Sequence, residues 1–142
     1  LPVAVVSGAF RVEVDGILRG AGLETLLATV VALEDVTRPK PDPEAYLLAL
    51  QKLGIEPLEA LAIEDSPGGV AAARAAQVPV VVPLSAYFVN ATIEGAIAIG
   101  PGLHTREGWR PALRADAQGD GPVRLDDLQA WCAEMDTVSQ FS

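Results

Sequence analysis

Over the first two thirds of the chain, short apolar runs alternate with stretches whose apolar positions recur at helical spacing. Val3 to Val6 is continuously apolar and stops at Ser7-Gly8, the pattern of a strand buried on both faces. Phe10, Val14, Ile17, Leu18 and Ala21 then fall on one face of a helix, with Arg11, Glu13, Asp15 and Arg19 opposite and Gly20 and Gly22 closing it. Thr29 to Leu33 is a second β-branched run. Asp42-Pro43 predicts a helix start, with Asp42 as N-cap and Pro43 at the first helical position. That helix presents Tyr46, Leu47, Leu50 and Leu53, and Gly54 stops it. A third run, Leu61 to Ile63, leads into Glu64-Asp65, and Ser66-Pro67 opens an alanine-rich helix to Ala76. Val78 to Val82 is the fourth run, where Pro79 marks either an edge strand or a strand start. Residues 100–124 read as irregular, with Gly100-Pro101-Gly102, Gly108, Pro111, Gly119, Gly121 and Pro122. A final helix is predicted over Asp126–Met135, with Leu125, Leu128, Trp131 and Cys132 turned inward.

Alternation of strand and helix predicts an α/β fold: one domain over 1–142, with a Rossmann-like, mostly parallel sheet covered by helices on both faces. Ligands of such sheets sit at the carboxyl ends of the strands. There the sequence places Ser7-Gly8, the segment after Leu33 that contains Lys40, and Glu64-Asp65-Ser66. The chain has 142 residues, half of them hydrophobic, which is enough for a core. Its net charge of −9 argues against nucleic acid or an anionic membrane as partner, though not against a small phosphorylated ligand met by local positive charge. No apolar run approaches the ~18–20 residues of a membrane span. The single cysteine, Cys132, forms no internal disulfide, which points to a cytoplasmic setting. Leu1 opens an apolar stretch without the basic start of a signal peptide, and the chain reads as beginning inside a longer unit.

Three features bear on chemistry. Ser7 and Gly8, between a strand end and a helix start, offer a hydroxyl and freed helical N–H groups to a phosphate, although Ser-Gly also serves as an ordinary turn. Lys40 lies in Arg38-Pro39-Lys40-Pro41-Asp42-Pro43, where three prolines stiffen the frame around a point charge; the alternative is a solvated lysine in a turn. Glu64-Asp65 sets two adjacent carboxylates at a strand end, a pair that a hard cation such as Mg²⁺ compensates with oxygen ligands. Asp65 or Ser66 can cap the next helix at the same time. His104, near Arg106, Arg110 and Arg114, reads as a solvated loop rather than a phosphate contact, and Cys132 as a small buried hydrophobe.

Ser7-Gly8, Lys40-Pro41-Asp42-Pro43 and Ile63-Glu64-Asp65-Ser66-Pro67-Gly68-Gly69-Val70 stand in an order that resembles the second, third and fourth motifs of the haloacid dehalogenase-like hydrolases. The branch most like it holds phosphoglycolate phosphatase and β-phosphoglucomutase. The resemblance covers residues 2 to 84 closely and the final helix loosely. It implies that Ser7 and Gly8 bind phosphoryl oxygens and that Lys40 neutralises charge on the phosphoryl group. It implies further that Glu64 and Asp65 hold Mg²⁺. Pro39 departs from the glycine often found before the lysine. The family's first motif, Asp-x-Asp, and its small cap are expected upstream of this chain. Glu13-Val14-Asp15 is not that motif, because it lies on an amphipathic helix rather than after a strand.

The first strand of this family lies between the strands at Leu61 and Val3. Those two strands are therefore expected to be completed by an upstream segment, by a partner copy in a homodimer, or by pairing with each other. The implied activity is Mg²⁺-dependent hydrolysis of a small phosphorylated metabolite through an aspartyl-phosphate, with the 142 residues alone inactive. The alternatives are a sugar phosphomutase and a non-catalytic module that binds phosphate or a partner.

Overall fold

A computed structural model describes residues 1–88, 90, 92–113 and 121–139. Strand β1 (Ala4–Val6) pairs in parallel with β2 (Thr29–Val31), in the register Ala4↔Thr29 to Val6↔Val31. Helix α1 (Arg11–Gly20) makes the crossover between them, and α2 (Glu44–Leu53) follows β2. Strands β3 (Ala62–Ile63), β4 (Val80–Pro83) and β5 (Ala98–Gly100) form a second parallel sheet in that order. Helix α3 (Pro67–Ala75) connects β3 to β4, and α4 (Leu125–Ser139) ends the described chain. Within the length read from sequence as one domain, the described residues gather into two compact units. One comprises Leu1–Ala60 with Ala71–Val78, and the other Leu61–Val70 with the described residues from Pro79 on.

In the first unit the helices cover both faces of the sheet, as predicted. Val14 and Leu18 of α1 pack with Val5 and Val30, while Ala45 and Ala49 of α2 pack with Val6 and Val31. Neighbouring strand residues point to opposite faces, so the two helices lie on opposite sides. The predicted helix faces need correction. Phe10 and Ile17 are 55% and 71% exposed, leaving Val14 and Leu18 as the buried pair of α1. In α2 the buried residues are Ala45, Tyr46, Ala49 and Leu50, and Leu47 is half exposed. Small alanines, not the larger leucine, let this helix approach the sheet. Gly54 ends α2 with φ 67°, a left-handed conformation that glycine adopts without Cβ strain. The run predicted to reach Leu33 stops at Val31, because Leu33–Asp35 turns into a 3₁₀ helix in which the Asp35 carboxylate accepts the Ala32 N–H.

In the second unit β4 is the central strand, and Val80, Val81 and Val82 are fully buried. Pro79 therefore marks a strand start and not an edge; its carbonyl still accepts the Ala62 N–H at 2.8 Å. β5 falls where the sequence reading has no element. The 100–124 stretch is less loose than predicted wherever it is described. Trp109 is buried beside Trp131, ring centroids 4.8 Å apart, and its indole N–H donates to the Thr105 carbonyl at 3.0 Å. Gly100 is required there, since a Cβ would fall 2.1 Å from Trp109 Cδ2. Ile99 bridges Arg110 in antiparallel fashion. Arg114 and Gly119 lie outside the described residues. α4 starts at Leu125, which is half exposed, and runs past the predicted Met135.

β1 and β3 each have one hydrogen-bonded neighbour among the described strands and belong to different sheets. No helix of the described residues is long and apolar enough to cross a membrane.

Candidate phosphate and metal residues

Ser7 directly follows β1, and its N–H continues the ladder by donating to the Val31 carbonyl at 2.9 Å. The Ser7 Oγ accepts the Ala9 N–H at 3.1 Å, a tight local turn that leaves the hydroxyl proton to donate. Gly8 is exposed, and a Cβ there would meet nothing within 4 Å, so a ligand can approach its backbone. Two of the N–H groups at the start of α1 already have carboxylate acceptors. Glu13 Oε2 accepts the Phe10 N–H at 3.0 Å, and both Glu34 carboxylate oxygens accept the Arg11 N–H at 2.8 and 3.1 Å. The polar groups this strand end presents are thus the Ser7 hydroxyl and the Gly8 backbone.

Lys40 reaches the same strand end despite Pro39. Its ammonium donates to the Val6 carbonyl at 2.9 Å, on the residue before Ser7, and lies 5.2 Å from the Tyr46 ring centroid. The lysine and the serine are therefore brought together at the carboxyl end of β1. Asp42 is not the N-cap of α2 as predicted: Pro43 holds that position and the helix begins at Glu44, while Asp42 Oδ1 accepts the Glu44 N–H at 3.0 Å from one residue further out. The Glu44 carboxylate accepts from the backbone N–H of both Thr37 and Arg38 at 2.9 Å. These bonds, Thr37 before Arg38, hold its carboxyl below the usual carboxylate range.

In the second unit the Glu64 N–H donates to the Val81 carbonyl at 3.1 Å, which sets the acidic pair at the carboxyl end of β3. Ser66 caps α3, its Oγ accepting the Gly69 N–H at 3.1 Å. The Glu64 carboxylate lies against that first helical turn: a Cβ on Gly69 would fall 1.9 Å from Oε2. Asp65 is exposed. Among the described residues no group of three or more His, Cys, Asp or Glu side chains is assembled. The donor set still fits Mg²⁺, a hard ion that takes one or two carboxylates and completes its shell with water and phosphate oxygens.

The basic segment separates on inspection. His104 and Arg110 are exposed, but Arg106 is not the solvated residue the sequence suggests. Its guanidinium makes a two-pronged ion pair with Asp127, at 2.8 and 3.0 Å, with both side chains nine-tenths buried. Cys132 is half-buried, and burial, then the Asp136 charge, pushes its thiol pKa up, against a reactive role. Three features at the site escape the sequence reading. Glu44 looks like an ordinary acid in a first helical turn, Tyr46 like a face residue, and Gly69 like one of two equivalent glycines.

Residues 1–77 match the haloacid dehalogenase-like hydrolase family. The chain is 35% identical to protein CbbY (plasmid) of Cupriavidus necator over 106 residues, covering 72% of this chain and 42% of that protein. It is 36% identical to the fructose-1-phosphate phosphatase YqaB of Escherichia coli over 75 residues, covering 53% of this chain and 40% of that protein. Among solved structures it is similar to CbbY from Rhodobacter sphaeroides in complex with phosphate, with a TM-score of 0.65 at 29% identity, covering 68% of this chain and 44% of that one. The chain thus spans less than half the length of each of these relatives.

Proposed function

The chain belongs to the haloacid dehalogenase-like hydrolases, and from that premise we propose that it forms the core of a Mg²⁺-dependent phosphatase of small phosphomonoesters. Phosphatases are among its relatives. The observation that carries the reading is the Lys40 ammonium held 2.9 Å from the carbonyl that precedes Ser7. A cation and a hydroxyl then meet one ligand where parallel sheets bind theirs. Ser7 Oγ and the Gly8 backbone hold phosphoryl oxygens, and Lys40 offsets their charge. Glu64 and Asp65 are the carboxylates that would hold Mg²⁺, an ion that supplies positive charge in phosphoryl transfer.

The nucleophile is an aspartate on a segment upstream of this chain. Its carboxylate oxygen bonds to phosphorus as the ester P–O bond breaks; the leaving alkoxide takes a proton from the second aspartate of the same Asp-x-Asp motif, which regains one from the water of the next step. Water then attacks phosphorus, releasing inorganic phosphate and regenerating the carboxylate. The same segment, or a partner copy in a homodimer, pairs with β1, which has one neighbour among the described strands. The 142 residues alone are inactive. A cytoplasmic setting suits the single half-buried Cys132.

Intact mass of the purified protein, together with phosphate release from a panel of small phosphomonoesters, tests this. The expected result is a mass well above 14.8 kDa and release that requires Mg²⁺. Hydrolysis by the 142 residues alone, or none by a longer polypeptide, would contradict it.

A further inference from the structure

We infer that Glu44 is a positioning residue, whose carboxylate closes the 37–44 loop and so holds the Lys40 ammonium at the carboxyl end of β1. The inference rests on the phosphate-binding role proposed for Lys40.

The loop contains Pro39, Pro41 and Pro43, none of which has an N–H to donate. Its internal backbone support is correspondingly thin: the Asp42 N–H donates to the Pro39 carbonyl at 3.0 Å, and the Glu44 N–H to Asp42 Oδ1 at 3.0 Å. The mouth of the loop is tied by Glu44. One carboxylate oxygen accepts the Thr37 N–H at 2.9 Å and the Thr37 hydroxyl at 3.0 Å, and the other accepts the Arg38 N–H at 2.9 Å. Arg38 Nε lies 3.4 Å from Glu44 and 3.6 Å from Asp42, but this side chain is 73% exposed and adds little.

Glu44 is also the first residue of α2, which is anchored by buried Ala45, Tyr46, Ala49 and Leu50. Tyr46, two residues on, presents its ring to the Lys40 ammonium. The strand-side end of the loop is thereby fixed to the helix that lies beneath Lys40. Without the carboxylate, the Thr37 and Arg38 N–H groups lose their acceptors, and the proline-rich interior cannot replace them. Lys40 lies between these tied ends and shifts when they part.

The test is titration of the chain with inorganic phosphate in the presence of Mg²⁺. It compares the wild type with Lys40→Ala, Glu44→Ala, Glu44→Gln and the Lys40→Ala/Glu44→Ala double variant. Lys40→Ala is expected to weaken phosphate about tenfold, as loss of a charge-assisted contact does. Glu44→Ala is expected to weaken it about fivefold, and the double variant no further than Lys40→Ala, because Glu44 acts through the lysine. Glu44→Gln keeps an acceptor oxygen and retains part of the affinity, which guards against a misfolded alanine variant.

A purely structural role would lower the urea midpoint equally in both backgrounds and leave phosphate affinity alone. If Lys40→Ala weakens phosphate but Glu44→Ala does not, or the two losses multiply, the positioning role is wrong while the Lys40 reading survives. If Lys40→Ala leaves phosphate affinity unchanged, the Lys40 reading fails and this inference with it.

Discussion

Gly68 and Gly69 are adjacent in the first turn of α3 but are not equivalent. A Cβ on Gly68 meets nothing within 4 Å, whereas one on Gly69 would fall 1.9 Å from Glu64 Oε2 and 2.3 Å from Cδ. Gly69 thus makes room for a carboxylate assigned to Mg²⁺, and the N–H of the same residue is held by Ser66. Gly69→Ala is therefore expected to displace Glu64 and weaken Mg²⁺ binding about tenfold, as loss of ligand support commonly does. Gly68→Ala leaves it unchanged. Equal Mg²⁺ affinities in the two variants would remove Glu64 from the metal set. The types of residue at the site are legible in the sequence, because strand ends and proline-capped helix starts are local signals. Their occupancy is not. The N–H groups of Phe10 and Arg11 look free until Glu13 and Glu34 are placed on them, and Glu34 arrives from 23 residues away.

At the scale of elements, β1 to β4 and all four helices can be read from apolar period and capping residues, since each signal is contained in the segment itself. The packing face of α2 is not legible where Ala45 and Ala49 form it, because hydrophobic pattern gives most weight to large residues. β5 gives no clear signal because its apolar run, Ile97 to Ile99, is short and ends in Gly100-Pro101-Gly102. The order of the described part of the 100–124 stretch is not legible in the sequence because its anchor, the buried Arg106–Asp127 pair, joins it to a helix 21 residues away. The Arg106 side chain, hydrogen-bonded to Asp127, holds that carboxyl below the usual range against the upward push of burial; the Arg124 N–H adds to it. A carboxyl depressed in the folded state stabilises above the pH at which an unfolded aspartate titrates, about pH 4. That stability is lost as pH falls through the lower folded value. Urea midpoints should show Arg106→Ala less stable by about 3 kcal/mol near neutral pH, because a buried charge is left unpaired. The wild type's advantage over Asp127→Asn should shrink between about pH 5 and about pH 2. An advantage constant across that range would show that the pair does not govern the acid limb.

For the whole molecule, net charge and local chemistry pull in opposite directions. A chain of charge −9 repels a phosphate dianion at long range, so a phosphate site on it depends on local compensation. The residue proposed for that task at the end of β1 is Lys40. Membership of the hydrolase family was legible from the order of three short motifs, each weak alone. That β1 and β3 each have a single neighbour among the described strands is visible only in the strand order. The most direct test is calorimetric titration with inorganic phosphate, with and without Mg²⁺. The wild type is expected to bind phosphate in a Mg²⁺-dependent manner, with affinity reduced about tenfold in Lys40→Ala and the Mg²⁺ dependence lost in Asp65→Ala. An undiminished signal in either variant would contradict the site.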